Sequence, residues 1–419
     1  MVGIKGQGMA ALAQLLSAEG KNITGSDIAE VFSTDAGLRA CGIPVLPFHA
    51  KNISRAIDLV IRSGAYGDAH PELVAARKAG IPIVAYGDAV AELFNVKRGI
   101  LVAGTHGKTT TTAMIGRVLE DAGYDPAVLV GATVVKWKLN ARPGTGAWMV
   151  AEGDEYQNKF LSLKPEVLVV TSIEYDHPDF FKSDKQYRDA FRKLISTVPK
   201  NGLLIAERGL RSIIKKAPCK IVWYGIQGTG EGRHMELNGK AALAVARRLG
   251  ISAKDAKRTL ARYEGTARRM EYYTEPDADL AVIDDYAHHP TEIRTTLAAL
   301  RRRYPKRHIT AVFHPHTYSR THALMNDFAK SFAHADEVLL LPIYSSARER
   351  PEDFPAHLEE TLAKKITRFS KKPARVVSSL EAAAQLGSSL PPIKQKRIFI
   401  TLGAGNAWEI ARDVSTSLK

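Results

Sequence analysis

Residues 99–110 read Gly99-Ile100-Leu101-Val102-Ala103-Gly104-Thr105-His106-Gly107-Lys108-Thr109-Thr110. An apolar run passes straight into a glycine-flanked turn, and a helical pattern follows to about Ala122. The run has the length and composition of a buried strand. Strand, turn and helix in that order form the βα unit of a parallel sheet, with its ligand end at the turn. The turn spells G-T-H-G-K-T. Glycines let backbone amides face a phosphate, a lysine adds point charge, and a hydroxyl at the helix start can hold Mg²⁺. The full eight-residue pattern needs Gly at 102, where Val102 stands, so this is a short variant. Nucleotide phosphate binding by Gly104, Thr105, His106, Gly107, Lys108, Thr109 and Thr110 is the expected task.

The same alternation of apolar runs and helical patterns extends both ways, so the fold class is α/β with mainly parallel sheets. Three blocks emerge, 1–97, 98–268 and 269–419. The first opens on Gly3-Ile4-Lys5-Gly6-Gln7-Gly8, followed by a helical pattern through Met9, Leu12, Leu15 and Leu16. Strands are expected at 22–24, 57–61 and 81–85. Only Met1 and Val2 precede the first glycine, against about five residues for a usual strand, so the first strand is expected to be clipped. In the second block strands are expected at 148–151, 166–171 and 203–206. Helices are expected at 237–249 and from Ser252, with Asp255 in capping-box position, to near Gly265. In the third block strands are expected at 281–283, 309–313, 337–341 and 397–401, with polar motifs at their C-terminal ends.

Composition agrees with a folded chain. Of 419 residues, 45% are hydrophobic and 25% charged, which excludes disorder and allows two or three domains. No apolar run approaches the ~20 residues of a membrane span, and no signal-peptide pattern opens the chain. Two cysteines, Cys41 and Cys219, cannot build a disulfide framework or a cysteine zinc site, so a cytoplasmic location is expected. The net charge of +15 suits an anionic partner. The basic residues are scattered, however, without a basic tail or interleaved aromatics. A solvated basic surface is the plainer reading, and neither nucleic acid nor membrane is an expected partner.

Four further motifs lie at strand ends. Glu152-Gly153-Asp154-Glu155 has carboxylates able to hold Mg²⁺ opposite a phosphate loop, although alone it reads more readily as a solvated acidic loop. Ile173-Glu174-Tyr175-Asp176-His177-Pro178-Asp179 offers a histidine able to ligate a metal, although alone such a histidine is more often simply hydrogen-bonded; a phosphate loop upstream, whose chemistry needs Mg²⁺, favours the ligand. Asp284-Asp285-Tyr286-Ala287-His288-His289-Pro290 and His314-Pro315-His316-Thr317-Tyr318-Ser319-Arg320-Thr321 suit a polar face that orients a nucleotide and a small substrate; loop caps and turns are the alternative. A zinc site is disfavoured there, because no H-E-x-x-H helix pattern appears. Gly3, Gly6 and Gly8 resemble a dinucleotide turn in the order G-x-x-G-x-G, and Asp27, about 20 residues on, suits a ribose or base.

Taken in order, G-x-x-G-x-G, GSD, GTHGKTT, E-x-D-E, E-x-DH-x-D, RR-x-E, DDYAHHPTE and HPHTYSRT resemble the Mur ligases of peptidoglycan synthesis over essentially the whole chain. The resemblance implies three domains: Rossmann-like and UDP-binding, P-loop and ATP-binding, and Rossmann-like and amino-acid-binding. It implies ATP-dependent amide formation between UDP-N-acetylmuramate and L-alanine through an acyl phosphate, by a monomer or weak homodimer. By motif, Lys108 would hold the β/γ-phosphates and Thr109 the Mg²⁺, with Glu152 and His177 as further metal ligands. Arg269 and Asp285 would contact ATP, and Asn238 the adenine region. Arg320 and, more weakly, His316 would face the alanine carboxylate. His106 would lie near the muramyl group, and Asp27 with the Gly3–Gly8 turn would serve the UDP moiety. An acceptor other than alanine, such as a recycled peptide, and a non-catalytic binder of UDP-muramyl precursors are the alternatives.

The chain also departs from the family pattern. Met235 replaces an expected Asn. Ser172 replaces an Asn before the E-x-DH segment. Lys5 stands where Gly is expected, and could pair with a UDP phosphate. The stretch from Tyr224 to Gly232 is short, so a small extra sheet is expected to be reduced or missing.

Overall fold

The structure is a computed structural model that describes residues 1–419 except 228–231, 346–348, 389–395 and 419. Its contacts divide it into two units. One holds Met1–Glu174, Lys185–Ile226 and Met235–Thr266; the other holds Tyr175–Asp184, Gln227–His234 and Ala267–Lys419.

In the first unit the N-terminal strands are short: β1 (Gly25–Asp27), β2 (Val45–Pro47), β3 (Val60–Arg62) and β4 (Ile83–Ala85). The clipped first strand is a single residue. Val2 bridges Ser26 of β1 and Arg62 of β3 in parallel, and so joins the β1–β2 and β3–β4 pairs. The strand expected at 22–24 lies three residues later, because the Ser26 amide bonds Met1 O and the Gly25 amide bonds Pro44 O. Helix α1 (Gln7–Ala18) follows the glycine turn and buries Met9, Leu12 and Leu15.

Seven strands build the next sheet: β5 (Arg98–Ala103), β6 (Ala127–Val134), β7 (Leu139–Arg142), β8 (Trp148–Glu152), β9 (Val167–Val170), β10 (Leu203–Glu207) and β11 (Lys220–Tyr224). Their order is β11-β10-β9-β5-β8-β6-β7, all parallel except the β6–β7 pair. β5 and β9 sit mid-sheet with Ile100, Val102, Val167 and Val169 fully buried. Burial on both faces explains their unbroken apolar runs. Helix α2 (Lys108–Asp121) packs Ala113, Met114, Ile115 and Leu119 onto this core. Helices α3 (Asp184–Ser196), α4 (His234–Arg248) and α5 (Ala253–Ala261) follow. Ser252 caps α5, accepting the Asp255 amide at 3.1 Å. That helix ends at Ala261, short of the expected Gly265. Between β11 and α4, residues 225–227 and 232–233 form no strand; the rest of that short segment lies outside the described residues.

The second unit is a six-stranded sheet of β12 (Glu271–Tyr272), β13 (Leu280–Asp285), β14 (His308–Phe313), β15 (Glu337–Leu340), β16 (Ala374–Val376) and β17 (Arg397–Leu402). The order is β12-β13-β17-β14-β15-β16, with only β12 antiparallel. Alternate residues feed two cores, Ile283 and Phe313 on one face, Val282 and Phe399 on the other. Helices α6 (Pro290–Arg303) and α7 (Tyr318–Ala323) start just beyond the C-terminal ends of β13 and β14. No helix among the described residues is long and apolar enough to cross a membrane.

Candidate active site

The 104–109 turn is fixed by two glycines and one serine. Gly104 has φ +142°, and a Cβ there would run into the Thr171 hydroxyl. Gly107 has φ +78°, and a Cβ would come within 2.6 Å of Asn238 Oδ1. Ser172 O accepts the Thr105 amide at 3.1 Å, and Ser172 Oγ accepts the His106 amide at 2.8 Å. Those two amides are therefore committed to the scaffold rather than to a phosphate. The amides of α2's first turn remain, which by helix geometry have no acceptor within the helix.

Lys108, the first residue of α2, bends back over the loop. Its Nζ donates to Gly104 O at 2.6 Å and Thr105 O at 3.2 Å, and lies 3.0 Å from Glu155 Oε2. Burial opposes the ammonium, but Glu155, Glu152 and Asp154 outweigh it and hold the pKa above the usual lysine range. Tyr187 of α3, fully buried, donates to Glu155 at 3.2 Å and lies 2.8 Å from the Thr105 hydroxyl. The E-x-D-E motif contains Glu155 without revealing that it pairs with Lys108, and nothing local marks Tyr187.

Thr109 and Glu152 meet beside the lysine. Thr109 Oγ1 donates to Glu152 Oε2 at 2.9 Å, and the Gly131 amide donates to the same carboxylate at 2.9 Å. A hydroxyl at a helix start and a carboxylate at a strand end, side by side and both hard oxygen donors, fit a magnesium ion. Asp154 is turned away to the Tyr156 amide and Lys159. Asn238, buried on α4, reaches the loop at Gly107, while Met235, one turn earlier, is 38% exposed. His106 lies 3.2 Å from Glu174 Oε2.

In the N-terminal turn, Gly3 and Gly8 are required by packing, since a Cβ would strike Tyr66 and Tyr86 respectively; Gly6 has room. Asp27 is 5% exposed and its carboxylate is already spoken for. It accepts the Lys5 amide at 2.7 Å and the Ile28 amide at 2.9 Å, so it buttresses the turn. The Lys5 ammonium donates to Ile28 O at 2.9 Å and Glu30 O at 2.7 Å, with Asp35 at 3.7 Å.

In the second unit, Arg268 and Met270 have φ of +60° and +51°. Left-handed geometry at two non-glycine residues costs on the order of 1–2 kcal/mol each. It sends Arg268 inward to Asp284 (3.1 Å) and Gly403 O (2.6 Å). Arg269, between them, lies over the Tyr286 ring at 5.0 Å and 3.9 Å from Glu292. Asp285 accepts the Met270 amide at 2.8 Å and the Ala287 amide at 2.9 Å, which ties this turn to β13. Burial outweighs Arg269 and these amides, and pushes the Asp285 carboxyl up to about 6.

Arg320 was expected to face a substrate carboxylate. Its guanidinium is instead 2.8 Å from Asp176 Oδ1, both side chains 5% exposed, and its Nη1 bonds His316 O at 3.2 Å. Burial works against the Asp176 carboxylate, but Arg320 holds it well below the usual range. With His289, 3.3 Å from Tyr175 O, Arg320 anchors the 175–184 segment that carries His177, itself at φ +55°. His316 stacks on Tyr344 at 5.4 Å, and burial first, then Arg320, holds it neutral, well below the usual histidine range.

Three family models match along the chain. These are the Mur ligase family catalytic domain over residues 1–98, the Mur ligase middle domain over 102–243, and the Mur ligase glutamate ligase domain over 268–405. The chain is similar to the UDP-N-acetylmuramate–L-alanine ligase of Desulfitobacterium hafniense, 39% identical over 449 positions, with 99% of this chain and 98% of that protein covered. It is 35% identical to the protein of the same name from Bdellovibrio bacteriovorus, over 100% of this chain and 98% of that one. Among solved structures, the UDP-N-acetylmuramate–alanine ligase of Thermotoga maritima superposes with a TM-score of 0.81 at 27% identity, over 100% of this chain and 98% of that one. A murein peptide ligase from Psychrobacter arcticus, at TM-score 0.72 and 23% identity, covers 100% of this chain and 98% of that one and shares the fold.

Proposed function

The chain belongs to the Mur ligase family, and from that membership we propose that it is an ATP-dependent, ADP-forming ligase that joins L-alanine to UDP-N-acetylmuramate. The observation that carries the reading is 39% identity over nearly its whole length to a UDP-N-acetylmuramate–L-alanine ligase. The phosphate-loop geometry supports it independently. We assign the UDP moiety to residues 1–97, ATP to 98–268 and the amino acid to 269–419. The cytoplasm is the proposed place of action.

A carboxylate resists amines because its leaving group would be oxide. In the proposed reaction a lactoyl carboxylate oxygen attacks the γ-phosphorus of ATP, and the bond to ADP breaks. The alanine amine then attacks the acyl carbon, gives up a proton, and inorganic phosphate leaves. Bringing a carboxylate to a triphosphate concentrates negative charge, so catalysis rests on cations and orientation. Lys108 is the proposed partner of the β/γ-phosphates. Its present acceptors, Gly104 O and Glu155, set where its ammonium can reach. Thr109 and Glu152 would hold a magnesium ion, with His177 as a further proposed ligand. Bound there, the ion would draw charge from the phosphate oxygens. Arg269 and Asp285 are the proposed ATP contacts of the C-terminal domain, and Asn238 that of the adenine. His106 is assigned to the muramyl group and Gly6 to the UDP moiety. Asp27 and Arg320 act in this reading as positioning residues, since their charged groups are engaged internally.

Phosphate release with ATP, UDP-N-acetylmuramate and a panel of amino acids and tripeptide tests the reading. L-Alanine should give the highest kcat/KM. A preference for tripeptide would make the chain a peptide ligase, and no release with any acceptor would make it a binder.

A further inference from the structure

Away from the phosphate loop, the first unit carries a groove of about 860 Å³ between β11 and the outer faces of α4 and α5. β11 ends its sheet and pairs with β10 on one side. Lys200, Arg208, Lys220, Lys240, Arg247, Arg248 and Lys257 line the groove, and no acidic side chain does. All seven are exposed, and none forms an ion pair with a described residue. Val222, Leu243 and Ala244 give it an apolar wall.

Seven cations around one trough repel one another, and no ion pair among the described residues neutralises any of them. Guarding the sheet edge does not explain them. One lysine on an edge strand is enough to discourage pairing with uncharged chains, and Lys220 supplies it; a strand carrying carboxylates would meet that lysine favourably. The others flank β10 or stand on the facing helices.

We propose that the groove binds an acidic polypeptide segment of a partner protein, extended beside β11. The edge offers peptide groups to a strand laid along it, and the period of two would turn alternate side chains of that strand toward α4 and α5. Carboxylates at those positions meet Lys240, Arg247 and Lys257. Single-stranded nucleic acid fits less well, because it uses aromatic stacking platforms and the Trp223 ring is already covered by Arg211 at 5.4 Å.

Fluorescence anisotropy of the full chain tests this with a labelled seven-residue peptide alternating aspartate and valine. Saturable binding is expected. It should weaken about tenfold or more in the triple variant Lys240→Glu, Arg247→Glu, Lys257→Glu, and by a similar factor when alternate peptide amides are N-methylated. An unchanged unfolding midpoint shows that the variant is folded. Should it fail to fold, Lys200→Glu with Lys220→Glu, at the strand's other end, reads the same contact. No saturable binding, equal affinity in the folded variants, or equal affinity of the N-methylated peptide overturns the proposal. So does displacement of the peptide by inorganic polyphosphate or oligo-dT at lower concentration than by the unlabelled peptide.

Discussion

Lys108 Nζ lies 3.0 Å from Glu155 Oε2, an ion pair in which the Glu155 side chain is 2% and the Lys108 side chain 15% exposed. The pair stands at the start of α2, where a phosphate would meet the helix amides. A lysine so placed stays charged at neutral pH and is confined to a short arc by Gly104 O, Thr105 O and the carboxylate. Glu155 thereby decides where the cation is delivered.

Replacing each partner separates charge from placement. Lys108→Ala should abolish phosphate release without unfolding the chain. Glu155→Gln preserves size but leaves the ammonium without its counterion, and should raise KM for ATP about tenfold with a smaller change in kcat. Steady-state phosphate release at varied ATP checks both. An unaltered KM in Glu155→Gln would remove that residue from the positioning role.

Glu152→Ala and Thr109→Ala should each raise the magnesium concentration needed for half-maximal turnover, Glu152→Ala by about tenfold or more because it deletes charge as well as a ligand. A magnesium titration at saturating substrates is the measurement. An unchanged requirement in both variants would place the ion elsewhere.

Asp285 makes a pH prediction for stability. Its pKa is raised from 3.8 to about 6, so between those values the folded state binds more protons than the unfolded state. The contribution is fully present below pH 3.8 and is lost as pH rises through about 6. A two-unit shift corresponds to about 2–3 kcal/mol. Denaturant unfolding at pH 4.5 and 7 should show wild type losing stability relative to Asp285→Asn across that interval. An identical pH response of the two would show that Asp285 does not titrate there.

Much of this was legible in the sequence because the relevant signals are local. The Gly104–Thr109 loop, the buried strands β5, β9, β13, β14 and β17, and the Ser252 cap each carry their cause within a few residues. What escaped depends on partners far along the chain. β7, Leu-Asn-Ala-Arg, has no strand signature and exists because β6 templates it. Arg320 reads as facing the amino acid's carboxylate, and nothing local reveals Asp176, 144 positions away, against it. Lys5, which the sequence offers to a UDP phosphate, also gathers the carbonyls of the 28–30 turn, and nothing local in the sequence marks that. The charges were seen and their addressees were not.

Arg320→Ala should behave as the loss of a buried ion-pair partner, destabilising the chain by about 3–5 kcal/mol and raising hydrogen exchange in residues 175–184. A residue that only received the amino acid's carboxylate would raise KM for alanine and leave both quantities unchanged. Denaturant unfolding and exchange mass spectrometry together distinguish the two.

Lys5→Met should release the 28–35 segment, because the ammonium that gathers Ile28 O, Glu30 O and Asp35 is gone. Faster amide exchange in that segment, with KM for UDP-N-acetylmuramate raised several-fold and KM for ATP unchanged, is the expected outcome. Unchanged exchange would show that the Lys5 backbone, whose amide bonds Asp27 and whose carbonyl accepts the Thr34 hydroxyl, holds the segment without the ammonium.

The account turns on the carboxylate being activated by phosphoryl transfer before the amine attacks. UDP-N-acetylmuramate labelled with ¹⁸O in its lactoyl carboxylate, turned over with ATP and L-alanine, reports on this through the ³¹P spectrum of the released phosphate. One labelled oxygen in each phosphate is predicted. Amide product accompanied by unlabelled phosphate would contradict it.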